Sequence, residues 1–436
     1  MTTPAMPPRR AAAVVARSRP LPPRWFAALV GSVGALAIYT RLWLGITPAQ
    51  VRQTDFSFFY SAAMLIRHGQ GAHLYNQSLE ALQRASILLP GSDLSLLRLP
   101  FLAPPPSALL ALPFTDLGPS TGYWAFSLLQ LLLFVAAIWL VVRAAPWPGR
   151  RDPRLSVSLL ALAGAGTWLA VYVGQADGFC CLGLALGYWA WRRQRNLAAG
   201  FCLALLIGAV KPHLLVGLLA FIVGRRDWRA LGGMALAALL LGAASIGVAG
   251  LSGTLSFFAD LGLGVKGVST VSDLGVFGLG EHLLGTGGEA LWIATPGVLI
   301  AAAAALAAGA WSRPRPELLE VGLAGATAAS LVMVPHLLPY DLCLLGPVLV
   351  WLVARARADR AGLGRAGEGA ILGLWVAFGV LVPACLFNWA GIGQPAGQLL
   401  IPVGLLLLAV GAAIGIREPG REPLAVRAPT SDPPAA

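Results

Sequence analysis

Apolar runs recur along this chain from Trp25 to Ile416, many of them close to the ~20 residues a helix needs to cross the hydrocarbon core of a bilayer. Only 11% of the residues are charged, against 57% hydrophobic. A water-soluble domain carries about 25% charged residues, so most of the surface this chain exposes must meet lipid. A membrane barrel would show short alternating segments instead of continuous runs. The expected fold class is therefore an all-α polytopic integral membrane protein. Spans are expected near 25–46, 121–142, 155–173, 178–191, 197–211, 213–224, 230–250, 291–311, 317–334, 340–354, 369–388 and 397–416, about twelve crossings on the length rule. The runs 178–191, 197–211 and 213–224 fall short of a straight span and read as broken or shallow helices lining a cavity.

Charge orients the map. With the N-terminus inside, every basic residue falls on an inner loop or end except Arg41, Arg52, Arg67, Arg84, Arg98, Lys211 and Lys266, as the positive-inside rule requires. The net charge of +12 thus gathers at the inner membrane face, and no nucleic-acid partner is expected. Residues 1–23, rich in Arg and Pro, read as a disordered cytoplasmic arm, and 417–436 as a matching tail. The arm and first apolar run together mimic a signal peptide, but the run from Trp25 to Ile46 exceeds the length of a signal core and is kept as a span. A transmembrane domain at 24–416 follows, with a large first extracytoplasmic loop at 47–120. The apolar piece 104–115 is short and proline-flanked, so it reads as interfacial. The five cysteines form no spaced framework and read as small core residues.

The most informative stretch opens that loop: Thr54-Asp55-Phe56-Ser57-Phe58-Phe59-Tyr60. Phe56, Phe59, Tyr60, Ala63 and Met64 share one face of a helix, and Asp55 stands at its start. On the same outer side the map places Gly174-Gln175-Ala176-Asp177, Lys211-Pro212-His213, Glu281-His282 and His336 with Tyr340-Asp341. All five histidines and both lysines fall there. Each has an ordinary alternative. Asp55 alone reads as a helix N-cap, Lys211 as a snorkelling interfacial lysine, and Gln175 and Asp177 as a hairpin turn. His336 alone reads as an interfacial histidine. His68 and His73 show no metal-ligand spacing, and no metal or cofactor is expected.

The order of these motifs resembles glycosyltransferase family 87, the DUF2029 group of the GT-C superfamily: Asp55 with its aromatic helix, Gly69 to Tyr75-Asn76, a proline-rich segment, Gly174-Gln175, Lys211-Pro212, then His336 with Tyr340-Asp341. The family includes α-mannosyltransferases that use polyprenyl-phosphate mannose, and it often has Asp at the position of Asn76 and Asn at that of Asp177. The resemblance implies a GT-C bundle with surface-lying helices in its first outer loop. It implies that Asp55 is the catalytic carboxylate, with His336 catalytic and paired to it, and that Lys211 meets the lipid phosphate. Gln175, Tyr60, Tyr75, Arg67, Tyr340 and Asp341, from the same motifs, join the expected substrate-binding set. It also implies inversion at the anomeric carbon without a metal.

The expected partners are a polyprenyl-phosphate sugar, an extracytoplasmic lipid or glycan acceptor and the cell membrane, with the site facing away from the cytoplasm. Two other readings stand beside it. A transporter or flippase of envelope lipids would show repeated halves and polar groups near the midplane, and a non-catalytic assembly subunit would not require Asp55.

Overall fold

In the computed structural model, residues 23–90, 92, 97, 99–148, 153–267, 273–285, 288–358, 364–386 and 393–417 are described. The N-terminal arm to residue 22, the tail from 418 and Arg98 lie outside them, as does the side chain of Lys266. The described residues are helical and contain no strand.

The first half of the chain runs through α1 (Pro23–Leu44), α2 (Pro48–Val51), α3 (Phe56–Arg67), α4 (Gln77–Ala85), α5 (Pro105–Ala111), α6 (Gly118–Ala144), α7 (Arg154–Leu162), α8 (Ala165–Val173), α9 (Asp177–Arg192), α10 (Asn196–Gly208) and α11 (Val216–Arg225). It continues with α12 (Trp228–Gly267), kinked at Gly250, then α13 (Val276–Leu284), α14 (Leu291–Ser312), α15 (Leu319–Met333), α16 (Leu345–Ala358), α17 (Gly364–Leu386) and α18 (Gly393–Arg417). Two 3₁₀ turns matter for the site, Pro212–Leu215 and Pro339–Leu344.

Among the described residues, seven helical stretches are long and apolar enough to cross a membrane. They are Pro23–Leu44, Pro105–Ala144, Trp228–Ala259, Gly288–Ser312, Pro316–Met333, Gly367–Cys385 and Pro395–Ile416. An eighth arises if α7 and α8, bent by 48° at their junction, form one crossing. The other four expected spans are α9, α10, α11 and α16, of 16, 13, 10 and 14 residues. At 1.5 Å per residue each is shorter than the ~30 Å core. Two of them are apolar chiefly because they are packed inside protein: α9 buries Cys180, Cys181, Leu184, Tyr188 and Trp191, and α16 buries Leu349, Val350 and Trp351. A hydropathy count cannot distinguish a helix facing lipid from one facing other helices. The first apolar run, by contrast, is a single helix with most of its side chains outside the packed core.

The loop after α1 is built of short helices. Helix α3 turns Phe56, Phe59, Tyr60 and Ala63 inward and packs on α5 and on the 3₁₀ segment Leu112–Leu117. Arg84 of α4 is buried, its guanidinium 4.0 Å from the Phe58 ring, donating to Leu99 O and paired with Glu80, whose carboxylate accepts Phe101 N–H. Residues 105–117 are two short helical pieces leading into α6 through Gly118, whose φ is +72°.

Candidate active site

Five helix ends and turns meet where α1 hands over to α3. Helix α8 ends in Gly174, in the left-handed conformation at φ +69°. A side chain there would be strained by that φ, and its Cβ would stand 2.7 Å from the Cβ of Phe56. The glycine therefore lets the end of α8 touch the start of α3. The next residue, Gln175, extends its amide to Asp55, with Nε2 donating to Oδ2 at 2.6 Å. Earlier on α8, Gly166 abuts the backbone of the Pro339–Leu344 turn; a Cβ there would lie 2.7 Å from Cys343 N. That contact brings Tyr340 and Asp341 to the same place.

Helix α9 begins at Asp177, whose carboxylate has no exposed surface. Lys211 follows α10 and reaches across, its Nζ 2.8 and 3.0 Å from the two Asp177 oxygens, 2.6 Å from Asp341 Oδ1 and 4.2 Å from the centre of the Tyr340 ring. The other Asp341 oxygen accepts Leu338 N–H at 2.9 Å. A buried ammonium survives only with such pairing. An acid at the start of α9 and a lysine just past the end of α10 also suit the two helix dipoles.

Asp55 stands at the N-cap position of α3 without capping it. Its side chain makes no bond to the N–H groups of α3, and the nearby backbone bonds go to carbonyls instead. It keeps some solvent-accessible surface at the edge of the cluster. Burial raises its carboxyl above the usual carboxylate range; the Gln175 hydrogen bond, the Lys211 charge and the Tyr340 hydroxyl pull it back, and the Asp341 charge raises it. The result is a carboxylate fixed by a neutral amide and placed beside an ammonium already shared by two other acids. Such a group can accept a proton from an incoming hydroxyl.

The sequence expectations separate on this geometry. Asp55, Gln175, Lys211, Tyr340 and Asp341 come together, and Asp177, read from sequence as a turn residue, joins them. The expected pairing of His336 with Asp55 is not what the structure has: His336 Nδ1 faces Asp273 Oδ2 at 3.4 Å. Asp273 was not singled out in the sequence; its only signal was a lone acid in a stretch of small and apolar residues. Lys211, expected to meet a phosphate, is committed to Asp177 and Asp341, because three short contacts use its three N–H groups. Tyr60, Arg67 and Tyr75 are not in the cluster. Tyr60 Oη donates to Thr115 O, Arg67 to Thr115 Oγ1 and pairs with Asp116, and Tyr75 Oη donates to Ala103 O. These three tie the surface helices to the 101–117 segment. Glu281 and His282 lie on α13. No group of three or more metal-ligating side chains occurs among the described residues.

The model of glycosyltransferase family 87 matches residues 101–335, more than half of the chain. The chain belongs to glycosyltransferase family 87. It is accordingly a membrane glycosyltransferase, acting on a sugar donor and an acceptor. No curated protein and no solved structure matches it. The matched region carries Gln175, Asp177, Lys211 and Asp273, while Asp55, His336, Tyr340 and Asp341 lie outside it.

Proposed function

We propose that this family 87 enzyme moves a sugar, mannose by family resemblance, from a polyprenyl-phosphate donor to an extracytoplasmic lipid or glycan acceptor with inversion. The scaffold is of GT-C type, with about twelve membrane-embedded helices. The observation that carries the reading is Asp55: a carboxylate at the start of α3, in the loop after the first membrane helix, released from capping and held by Gln175. In the reaction Asp55 takes the proton of the acceptor hydroxyl as its oxygen attacks the anomeric carbon. The bond from that carbon to the phosphate oxygen breaks on the opposite face, and the polyprenyl phosphate leaves with the electron pair. One base and an in-line leaving group suffice, and the product is inverted.

A lipid-linked donor is supported by the apolar surroundings. A cavity of about 680 Å³ runs along α1 from Arg24 to Tyr39. Its walls include Gly164 and Gly166 at the α7–α8 junction, Leu342 next to Asp341, and Trp375 of α17. Its wall thus includes one residue of the turn that carries Tyr340 and Asp341. With Lys211 engaged by two acids, its part is to hold Asp177 and Asp341 in place beside Asp55. The site faces the extracytoplasmic side of the cell membrane on the charge distribution of the loops.

The test is purified protein in nanodiscs supplied with polyprenyl-phosphate mannose or with the matching nucleotide sugar, and lipid acceptors. Transfer is expected from the lipid-linked donor alone. Asp55→Asn, which keeps the shape and loses the basic oxygen, is expected to lower kcat at least about a hundredfold with normal insertion and purification. Transfer from the nucleotide sugar without any lipid-linked sugar would overturn the donor class. A well-folded Asp55→Asn variant with near-native turnover would overturn the role of Asp55.

A further inference from the structure

Asp273 is a buried acid that the proposed reaction leaves unused. It is 1% exposed and sits between two glycines that fit closely around it: a Cβ on Gly275 would lie 2.9 Å from Asp273 Oδ1, and one on Gly278 2.8 Å from Asp273 Cβ. One oxygen, Oδ1, accepts the backbone N–H groups of Gly275 at 2.7 Å and Leu337 at 3.0 Å. The other, Oδ2, faces His336 Nδ1 at 3.4 Å. Leu274 N–H also donates to Leu337 O at 2.8 Å, so the segment at Asp273 is tied to the one at His336 through both backbone groups of Leu337. His336 Nε2 is buried without a hydrogen-bond partner among the described residues. His336 is followed by Leu337, whose N–H goes to Asp273, and by Leu338, whose N–H goes to Asp341 Oδ2 at 2.9 Å, so the chain at His336 adjoins the acidic cluster.

A carboxylate with one oxygen committed to two amides can only accept at the other. It therefore selects the imidazole tautomer with its proton on Nδ1, and the remaining nitrogen keeps its lone pair. An unpartnered polar atom in a buried place is costly to keep, and this one is kept at the border of the site. We infer that Asp273 is a positioning residue: it holds His336 in the Nδ1–H tautomer and presents Nε2 as the unfilled polar atom for the substrates of the site. What His336 does for those substrates rests on the transfer reaction proposed above; the tautomer does not.

The experiment uses ¹⁵N-histidine-labelled full-length protein in nanodiscs, with the His336 signal assigned by its loss in His336→Gln. The wild type is expected to show His336 protonated at Nδ1, with no substrate present. In Asp273→Asn the side-chain oxygen still accepts from Gly275 and Leu337, but the amide now donates to the ring, so the proton is expected at Nε2. With polyprenyl-phosphate mannose as the probe donor, kcat is expected to fall at least about tenfold, as for loss of an outer-shell orienting group, with KM for the donor within about twofold. Asp273→Asn combined with His336→Ala is expected to be no slower than His336→Ala alone, since a residue that acts through another adds nothing once its partner is gone. Additive losses in the double variant would mark Asp273 as merely structural and overturn the inference. A wild-type His336 protonated at Nε2 would overturn it whether or not any variant folds. A wild type inert toward that donor would sink the transfer reaction proposed above, while the tautomer would still decide the placement of the proton by Asp273.

Discussion

A carboxylate at the start of a helix ordinarily accepts that helix's own N–H groups; Asp55 instead accepts the amide of Gln175, 120 positions further along the chain. Two consequences follow at the scale of single residues. A general base works only when ionised, and burial raises the Asp55 carboxyl. Activity is therefore expected to be lost, as pH falls, at a higher pH than an ordinary aspartate near 3.9 would give. Gln175 is one of the groups that lower that value. Gln175→Leu is thus expected to move the acid limb of the kcat/KM profile further up, with the fold intact; a limb that stays put or moves down would detach Gln175 from the base. Asp55 and Gln175 were both visible in the sequence, but one by one, as an expected base and an expected substrate-binding residue with a cap and a turn as their ordinary alternatives. Their hydrogen bond depends on how α8 meets α3, which no local pattern encodes.

At the scale of elements, glycines and a buried ion triad set the geometry. Gly174 combines a left-handed φ with a Cβ position 2.7 Å from Phe56. Gly174→Ala is expected to cost about 1 kcal/mol for the backbone alone and more for the displacement of α3. Turnover should fall further than thermal stability, because α3 carries Asp55. The Lys211 triad has a different weight. Removing the ammonium leaves Asp177 and Asp341, 0% and 2% exposed at their side chains, facing each other without a countercharge. Lys211→Met is expected to destabilise the protein by about 3–5 kcal/mol, seen as a lower Tm in detergent or nanodiscs. Lys211→Met with Asp177→Asn should recover part of that loss, because one buried charge is gone. A Lys211→Met variant with unchanged Tm and only a weakened donor KM would return Lys211 to the role of a phosphate ligand. That role was the sequence expectation, since a lysine before a proline at a helix end looks free until the acids that reach it are known.

At the scale of the whole molecule the question is which end of the bundle carries the site. The last turns of α6, α9 and α11 and the residues just after them carry Arg143, Arg192, Arg193, Arg225 and Arg226, and the opposite end of the bundle carries Asp55, Asp177 and Lys211. Reporter fusions after Arg193, Arg226 and Arg315 are expected to report cytoplasm, and fusions near Gly71 and Gly275 the outer side. A cytoplasmic signal at Gly71 would put Asp55 on the leaflet where nucleotide sugars are made, and the lipid-linked donor would lose its rationale. The short helices α9, α10, α11 and α16 bear on the same measurement. All are rich in apolar residues yet shorter than the bilayer core, and α9 and α16 are largely buried among the other helices.

By itself the sequence determined the class of the protein and the residue types of the site. A charge deficit and long apolar runs admit only a helical membrane protein, because an unpaired backbone cannot enter lipid. Lone polar residues in such a chain stand out against an apolar background, which is why Asp55, Gln175, Lys211, Tyr340 and Asp341 were legible one by one. Tertiary structure alone decided which of them touch. It bound Lys211 to two acids, drew Asp177 in, sent Tyr60, Arg67 and Tyr75 to hold the surface helices, and gave His336 to Asp273. The physical reason is that membrane helices pack through small residues and close backbone contacts. The glycines that set those contacts, Gly166 and Gly174, carry no side chain from which a partner could be read.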